Sequence, residues 1–128
     1  MTKKIIIVDD DPGVRFTVKH GIENLDKDYE ILALDNGREC LELLESGERP
    51  DLILLDIMMP QMSGWEIYKK IRENIPGEKI PIVFLSARTD RIAKDAGGFL
   101  AEDYIEKPFM LNDLLNRIDI AIQQAQSQ

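Results

Sequence analysis

The run Ile5-Ile6-Ile7-Val8-Asp9-Asp10-Asp11-Pro12 decides how the rest of the chain is read. Four β-branched residues in an unbroken row suit a strand buried on both faces. Acidic side chains end that strand. Pro12 suits the first turn of a helix, where its missing N–H has no partner to lose. Val14, Val18, Ile22 and Leu25 then recur at helical spacing. The opening is therefore strand, acidic loop, helix.

The same alternation continues downstream. Glu30 to Leu34 reads as a second strand, broken by Asn36-Gly37, and Cys40, Leu41, Leu43 and Leu44 suggest a short helix. After the loop from Gly47 to Pro50, Leu52 to Leu55 forms a third apolar run that ends at Asp56. Ser63 and Glu66 have the spacing of a capping box for a helix carrying Ile67, Tyr68 and Ile71, which stops by Pro76-Gly77. Ile82 to Leu85 is a fourth strand, followed by a weaker helical stretch interrupted at Gly97-Gly98. Asp103 to Glu106 is a short fifth strand, and Leu111, Leu114, Leu115, Ile118 and Ile122 mark a final helix. The tail from Gln123 is polar and is expected to fray, so the folded unit is placed at 1–124 with a polar tail at 125–128. Five strands alternating with helices imply an α/β fold: a parallel sheet, right-handed crossovers and helices on both faces.

Composition narrows the function. The chain has 128 residues, enough for one domain, and 44% of them are apolar. Its formal net charge of −8 repels nucleic acid and anionic membrane, so direct binding to either is not expected. Lys3-Lys4 reads as a solvated terminus. Cys40 is the single cysteine, which rules out an internal disulfide, and its apolar helical setting suggests a buried thiol. No apolar run approaches the roughly 20 residues a membrane span needs, and the start has no signal-peptide layout. A soluble protein of a reducing cytoplasm is the expectation.

In an open parallel sheet, ligands bind beyond the carboxyl ends of the strands. Asp9, Asp10, Asp56, Ser86 and Lys107 all fall at or just after strand ends. Carboxylates clustered there repel one another and call for a cation. Mg²⁺ suits them, since it takes oxygen ligands from one or two carboxylates together with waters and phosphate oxygens. Lys107 adds a compact positive charge for an anionic oxygen, and Ser86 adds a hydroxyl donor. Each residue alone has an ordinary explanation as a loop, cap or surface group; the set of five is far more specific.

Ile6 to Asp11, Asp56-Ile57-Met58-Met59-Pro60-Gln61-Met62-Ser63-Gly64, Ser86-Ala87 and Lys107-Pro108-Phe109 together resemble the response-regulator receiver domain of two-component signalling, over nearly the whole chain from about Lys4 to Ile122. The resemblance implies a flavodoxin-like, doubly wound (βα)5 fold with strand order 2-1-3-4-5. It implies that Asp56 accepts a phosphoryl group from a sensor histidine kinase or a histidine phosphotransfer protein. Asp10 and Asp9 would support Mg²⁺ with Asp56 and the Met58 backbone carbonyl. Lys107 and Ser86 would contact the phosphoryl group, Tyr104 would act as an aromatic switch, and Lys107-Pro108 would be a cis peptide. The surface of the fourth helix, fifth strand and fifth helix would then signal to an effector protein or output domain. Such a domain modifies itself and is not an enzyme in the usual sense.

Several features depart from the family's usual pattern. The interval from Ser86 to Lys107 is one position short, and Leu100-Ala101 stands where a Gly-Ala pair is common. Glycine costs a helix interior about 1 kcal/mol relative to alanine, so Gly97-Gly98 predicts a short or partly unwound fourth helix, with Phe99 and Leu100 as a partner site or core. Met58 and Arg88 sit at positions that tune hydrolysis of the phosphoaspartate; an apolar Met58 positions no attacking water, so slow self-dephosphorylation is expected. His20 reads as a surface residue and Trp65 as packing. Three other readings stand beside this one. A haloacid-dehalogenase-type phosphatase would use Asp9 as nucleophile but leaves Asp56 unexplained. A receiver-like module that only binds a partner would not need the five site residues. A flavodoxin-type electron carrier shares the fold, but three aspartates after the first strand would repel the flavin phosphate.

Overall fold

The computed structural model describes residues 2–75, 79–87 and 103–127. Gly97-Gly98, Phe99 and Leu100, together with the helix expected around them, lie outside the described residues, as does Arg88. The described elements are β1 (Lys3–Val8), α1 (Pro12–Leu25), β2 (Tyr29–Leu34), α2 (Gly37–Glu45), β3 (Leu52–Asp56), α3 (Gly64–Asn74), β4 (Ile82–Ser86), β5 (Asp103–Glu106) and α4 (Leu111–Gln126). The five strands form one parallel sheet in the order β2-β1-β3-β4-β5. This is the α/β, doubly wound arrangement read from the sequence.

Side chains of a strand alternate between faces, so the Ile5 to Val8 run feeds two cores. Ile5 and Ile7 pack with Val18 and Ile22 of α1 and with Leu114, Ile118 and Ile122 of α4. Ile6 and Val8 pack on the opposite face with Cys40 and Leu44 of α2 and with Ile67 and Ile71 of α3. The central strands are buried residue by residue, which is why they lack polar alternation. Full burial contributes roughly 1.5–3 kcal/mol for each large apolar side chain.

Helix starts follow local chemistry. The Asp11 side chain accepts from the Gly13 N–H and caps α1, with Pro12 at its first position. Asn36 Oδ1 accepts from the Glu39 N–H to cap α2. Ser63 and Glu66 form the expected capping box on α3. At the far end of the sheet Arg117 of α4 grips Asp103 through contacts of 2.8 and 2.6 Å and donates to the Tyr104 carbonyl at 2.9 Å, tying α4 to β5. The Tyr29 hydroxyl donates to Asp119 and ties α4 to β2.

One expectation is corrected. The tail placed from Gln123 is helical through Gln126, with Ser127 as the cap. Ala121 and Ile122 are buried and Ala125 is half-buried, so the apolar stripe of α4 runs one turn beyond the stretch marked by large side chains. Leu25, read at helical spacing with Val14, Val18 and Ile22, is the last residue of α1 and is 49% exposed. Cys40 is buried and its thiol is pushed up to about 12 by desolvation. His20 is exposed and stacks on Phe16. Among the described residues no helix is long and apolar enough to cross a membrane.

Candidate functional site

The ladder between β1 and β3 pairs Val8 with Leu55, so the next residues, Asp9 and Asp56, emerge side by side at the carboxyl edge. Neither faces bulk water. Asp9 is fully buried and Asp56 is 4% exposed, while Asp10 beside them is exposed. Strand β4 brings Ser86, also buried, one step beyond the Asp56–Leu85 pair. Lys107 follows β5; its backbone N–H donates to the Ser86 carbonyl at 2.7 Å, and its peptide bond to Pro108 is cis, as the resemblance implies.

The Lys107 ammonium lies 2.9 Å from Asp9 Oδ2 and 3.5 Å from Asp56 Oδ1. One cation thus faces two buried carboxylates. Burial opposes the charge on Lys107, but Asp9 and Asp56 outweigh it and hold the lysine above its ordinary pKa. Burial and then the neighbouring Asp9 push Asp56 up to about 7, against the pull of Lys107. A carboxyl so placed holds its proton in the fold well after the unfolded chain has released it.

This has a consequence for stability. Asp56 has a raised pKa in the fold, so what its proton contributes is present below the unfolded value near 4 and lost as pH rises toward 7. Asp56→Asn keeps the shape and removes the titration. The variant is expected to match the metal-free wild type near pH 4 and to exceed it by about 2 kcal/mol at pH 8. Urea unfolding in chelator across that range checks this; equal pH slopes in the two proteins would contradict it.

The donor set fits a hard cation. One carboxylate oxygen from each of Asp9, Asp10 and Asp56 lies within 4.8 Å of the others. Octahedral Mg²⁺ spaces its oxygens roughly 3–4 Å apart, so a small closure suffices. Asp9 Oδ2 is buried and has no assigned hydrogen-bond partner; its near neighbour is the Lys107 ammonium at 2.9 Å, an ion pair. A buried carboxylate oxygen in that condition is a ligand atom in waiting.

Other residues shape the pocket. Met58, two positions past Asp56, has a side chain 62% exposed. Gln61 adopts a left-handed φ of 71° in the loop that follows. Gly64 opens α3 against the end of β3, where a Cβ would stand 2.4 Å from the Asp56 carbonyl oxygen. Tyr104 is buried and stacks on Phe84, with centroids 5.4 Å apart; Trp65 packs on Phe84 at 4.5 Å. Arg15, which the sequence reading passed over, donates from Nη1 to the Asp9 carbonyl at 2.8 Å and braces the acidic loop. Its signal is an arginine one turn into the helix that follows an acidic strand end.

The fold and site define a doubly wound α/β domain with an acidic, lysine-bearing pocket at the carboxyl ends of β1, β3 and β5. The family model described as the response regulator receiver domain matches residues 5–119. The chain is 38% identical to response regulator MprA of Mycolicibacterium vanbaalenii over 122 residues, covering 92% of this chain and 49% of that protein. The counterpart from Mycobacterium ulcerans is also 38% identical over the same shares. The chain therefore spans about half the length of the curated relatives it matches. Among solved structures, a CheY-like response regulator receiver domain protein from Methanospirillum hungatei superposes with a TM-score of 0.84 at 35% identity, covering 98% of each chain. Chemotaxis protein CheY4 of Vibrio cholerae gives 0.83 at 30% identity, covering 94% of this chain and 99% of that one. This chain belongs to the response-regulator receiver family of two-component systems.

Proposed function

We propose that Asp56 accepts a phosphoryl group from the phosphohistidine of a sensor histidine kinase or histidine phosphotransfer protein. A carboxylate oxygen of Asp56 bonds to phosphorus, the P–N bond to the imidazole breaks, and the donor leaves as neutral histidine after taking up a proton. The observation that carries this reading is the placement of buried Asp56 beside buried Asp9 and exposed Asp10, with the Lys107 ammonium reaching both buried carboxylates. Phosphoryl transfer needs positioning and charge neutralisation more than covalent chemistry from the protein. Asp9, Asp10, Asp56 and the Met58 carbonyl would hold Mg²⁺, which supplies positive charge to the phosphoryl oxygens. Lys107 turns its ammonium from Asp56 toward the new dianion, and Ser86 donates its hydroxyl.

The signal is a shift between two conformations, driven by contacts that the phosphoryl group makes better in one of them. Ser86 and Tyr104 are its moving parts, and a downstream effector or an output domain reads the surface around β5. The domain is self-modifying, works in the cytoplasm, and binds neither nucleic acid nor membrane directly.

Intact mass after incubation with acetyl phosphate tests the reading. One phosphoryl group is expected on wild type with Mg²⁺, none in chelator and none on Asp56→Asn. No gain under any condition would favour a binding-only module, and a gain surviving Asp56→Asn would move the nucleophile elsewhere. Met58 and Arg88 are assigned to tuning hydrolysis. With an exposed thioether at Met58 in place of a hydrogen-bonding group, loss of the phosphoryl group is slow, and Met58→Asn is expected to speed it severalfold, within the roughly tenfold that 1.4 kcal/mol of barrier represents. An unchanged decay rate would remove Met58 from that role.

A further inference from the structure

Strand β2 is one edge of the sheet. An edge strand offers unpaired N–H and C=O groups to any extended chain that meets it. Along β2 the residues facing β1 are the even-numbered ones, since Lys3 N–H donates to Asp28 O and Asp9 N–H to Leu34 O. The peptide groups of Tyr29, Ile31 and Ala33 therefore point out of the sheet. Those of Ile31, at the middle, are both taken. Its N–H donates to Glu23 Oε2 at 2.9 Å, and its C=O accepts from Lys19 Nζ at 2.7 Å. Lys19 and Glu23 also contact each other at 3.2 Å, one turn apart on α1. The Tyr29 N–H is occupied too, by the Asp26 carbonyl at 3.2 Å.

We propose that Lys19 and Glu23 form a latch that closes the β2 edge to strand addition, and that the strand it excludes is β2 of a second copy. The pair reproduces the donor and acceptor an incoming strand would present, and it does so from the chain's own first helix. A second copy's β2 is the competing occupant because an antiparallel pair centred on Ile31 is self-complementary about a twofold axis. In Tyr29-Glu30-Ile31-Leu32-Ala33-Leu34 the outward-pairing positions Tyr29 and Ile31 are strand-favouring types. Leu32 is 45% exposed beside a hollow whose apolar lining from Ile6, Leu43 and Pro50 is rimmed by Lys4, Glu30 and Glu48, so an added strand would find there a small apolar contact with charged edges. The Ile31 N–H also holds the Glu23 carboxyl below its ordinary pKa, consistent with a charge engaged by the backbone.

The test is amide hydrogen exchange at Ile31 together with sedimentation velocity, on wild type and on Lys19→Ala/Glu23→Ala. In wild type the Ile31 amide is expected to be protected; in the double variant it exchanges about tenfold faster or more in dilute solution, and self-association strengthens by a similar factor at high concentration. Adding Ala33→Pro removes an outward N–H without touching the ladder to β1, and it should abolish the new association. Should the double variant not fold, Glu23→Gln and Lys19→Met carry the same measurements with less loss of bulk. Equal Ile31 exchange with and without the pair, unchanged sedimentation, or association that persists in the Ala33→Pro background would each overturn the proposal. Because no readout involves phosphorylation, the outcome is independent of the chemistry assigned to Asp56.

Discussion

Lys107→Met is expected to destabilise the metal-free protein by about 3 kcal/mol at pH 8, and by clearly less at pH 5. Its ammonium is the one cation within 4 Å of both Asp9 and Asp56 among the described residues. Removing it leaves two buried carboxylates facing each other without compensation, which is costlier than any single lost contact. Lowering the pH restores part of the loss, because Asp56 takes up a proton readily and the cluster then carries one charge rather than two. The double variant Lys107→Met/Asp56→Asn should recover most of the stability, since the residues are coupled and their effects do not add. Urea unfolding of the four proteins at both pH values measures this. A pH-independent loss, or a double variant as unstable as Lys107→Met, would mean that lysine packing rather than charge is responsible.

Phe84→Ala is expected to cost about 3–5 kcal/mol, a large share of the 5–15 kcal/mol that holds a typical domain folded. Phe84 has no exposed surface and is the central residue of β4, between β3 and β5. Its ring meets Trp65, Tyr104 and Tyr68, at centroid distances of 4.5, 5.4 and 5.8 Å. Truncation opens a cavity that three rigid aromatic neighbours cannot readily fill. Chemical unfolding gives the magnitude, and the near-ultraviolet spectrum of Trp65 reports the lost packing. A loss under about 1 kcal/mol would mean that the aromatic cluster collapses into the space. Because Tyr104 stacks on the same ring, the variant should also loosen the residue assigned as the switch.

Much of this was legible in the chain. The unbroken runs Ile5 to Val8, Leu52 to Leu55 and Ile82 to Leu85 announced strands covered on both faces, because only such strands dispense with polar alternation. The capping box Ser63/Glu66 marked its helix start to the residue. Asp9, Asp56, Ser86 and Lys107 were found as strand-end residues and lie together at the carboxyl edge of the sheet, with Lys107 joined to both carboxylates. The end of the last helix was misplaced at Gln123, since glutamine and alanine give no periodic signal although Ala125 packs. Arg15 and the Lys19–Glu23 pair were missed, because their partners are backbone groups 6 to 12 residues away, whose direction the side-chain pattern does not reveal.

By itself, then, the order of residues determined the alternation of strands and helices, the helix starts and the identity of the carboxylates and lysine at the strand ends, because each of these depends on local spacing and side-chain type. Only the tertiary structure decided that Asp9 and Asp56 are both buried against one lysine, that Asp10 faces water, and that the β2 edge is closed by α1, because burial, dielectric and the direction of a backbone carbonyl are properties of segments brought together from far apart in the chain.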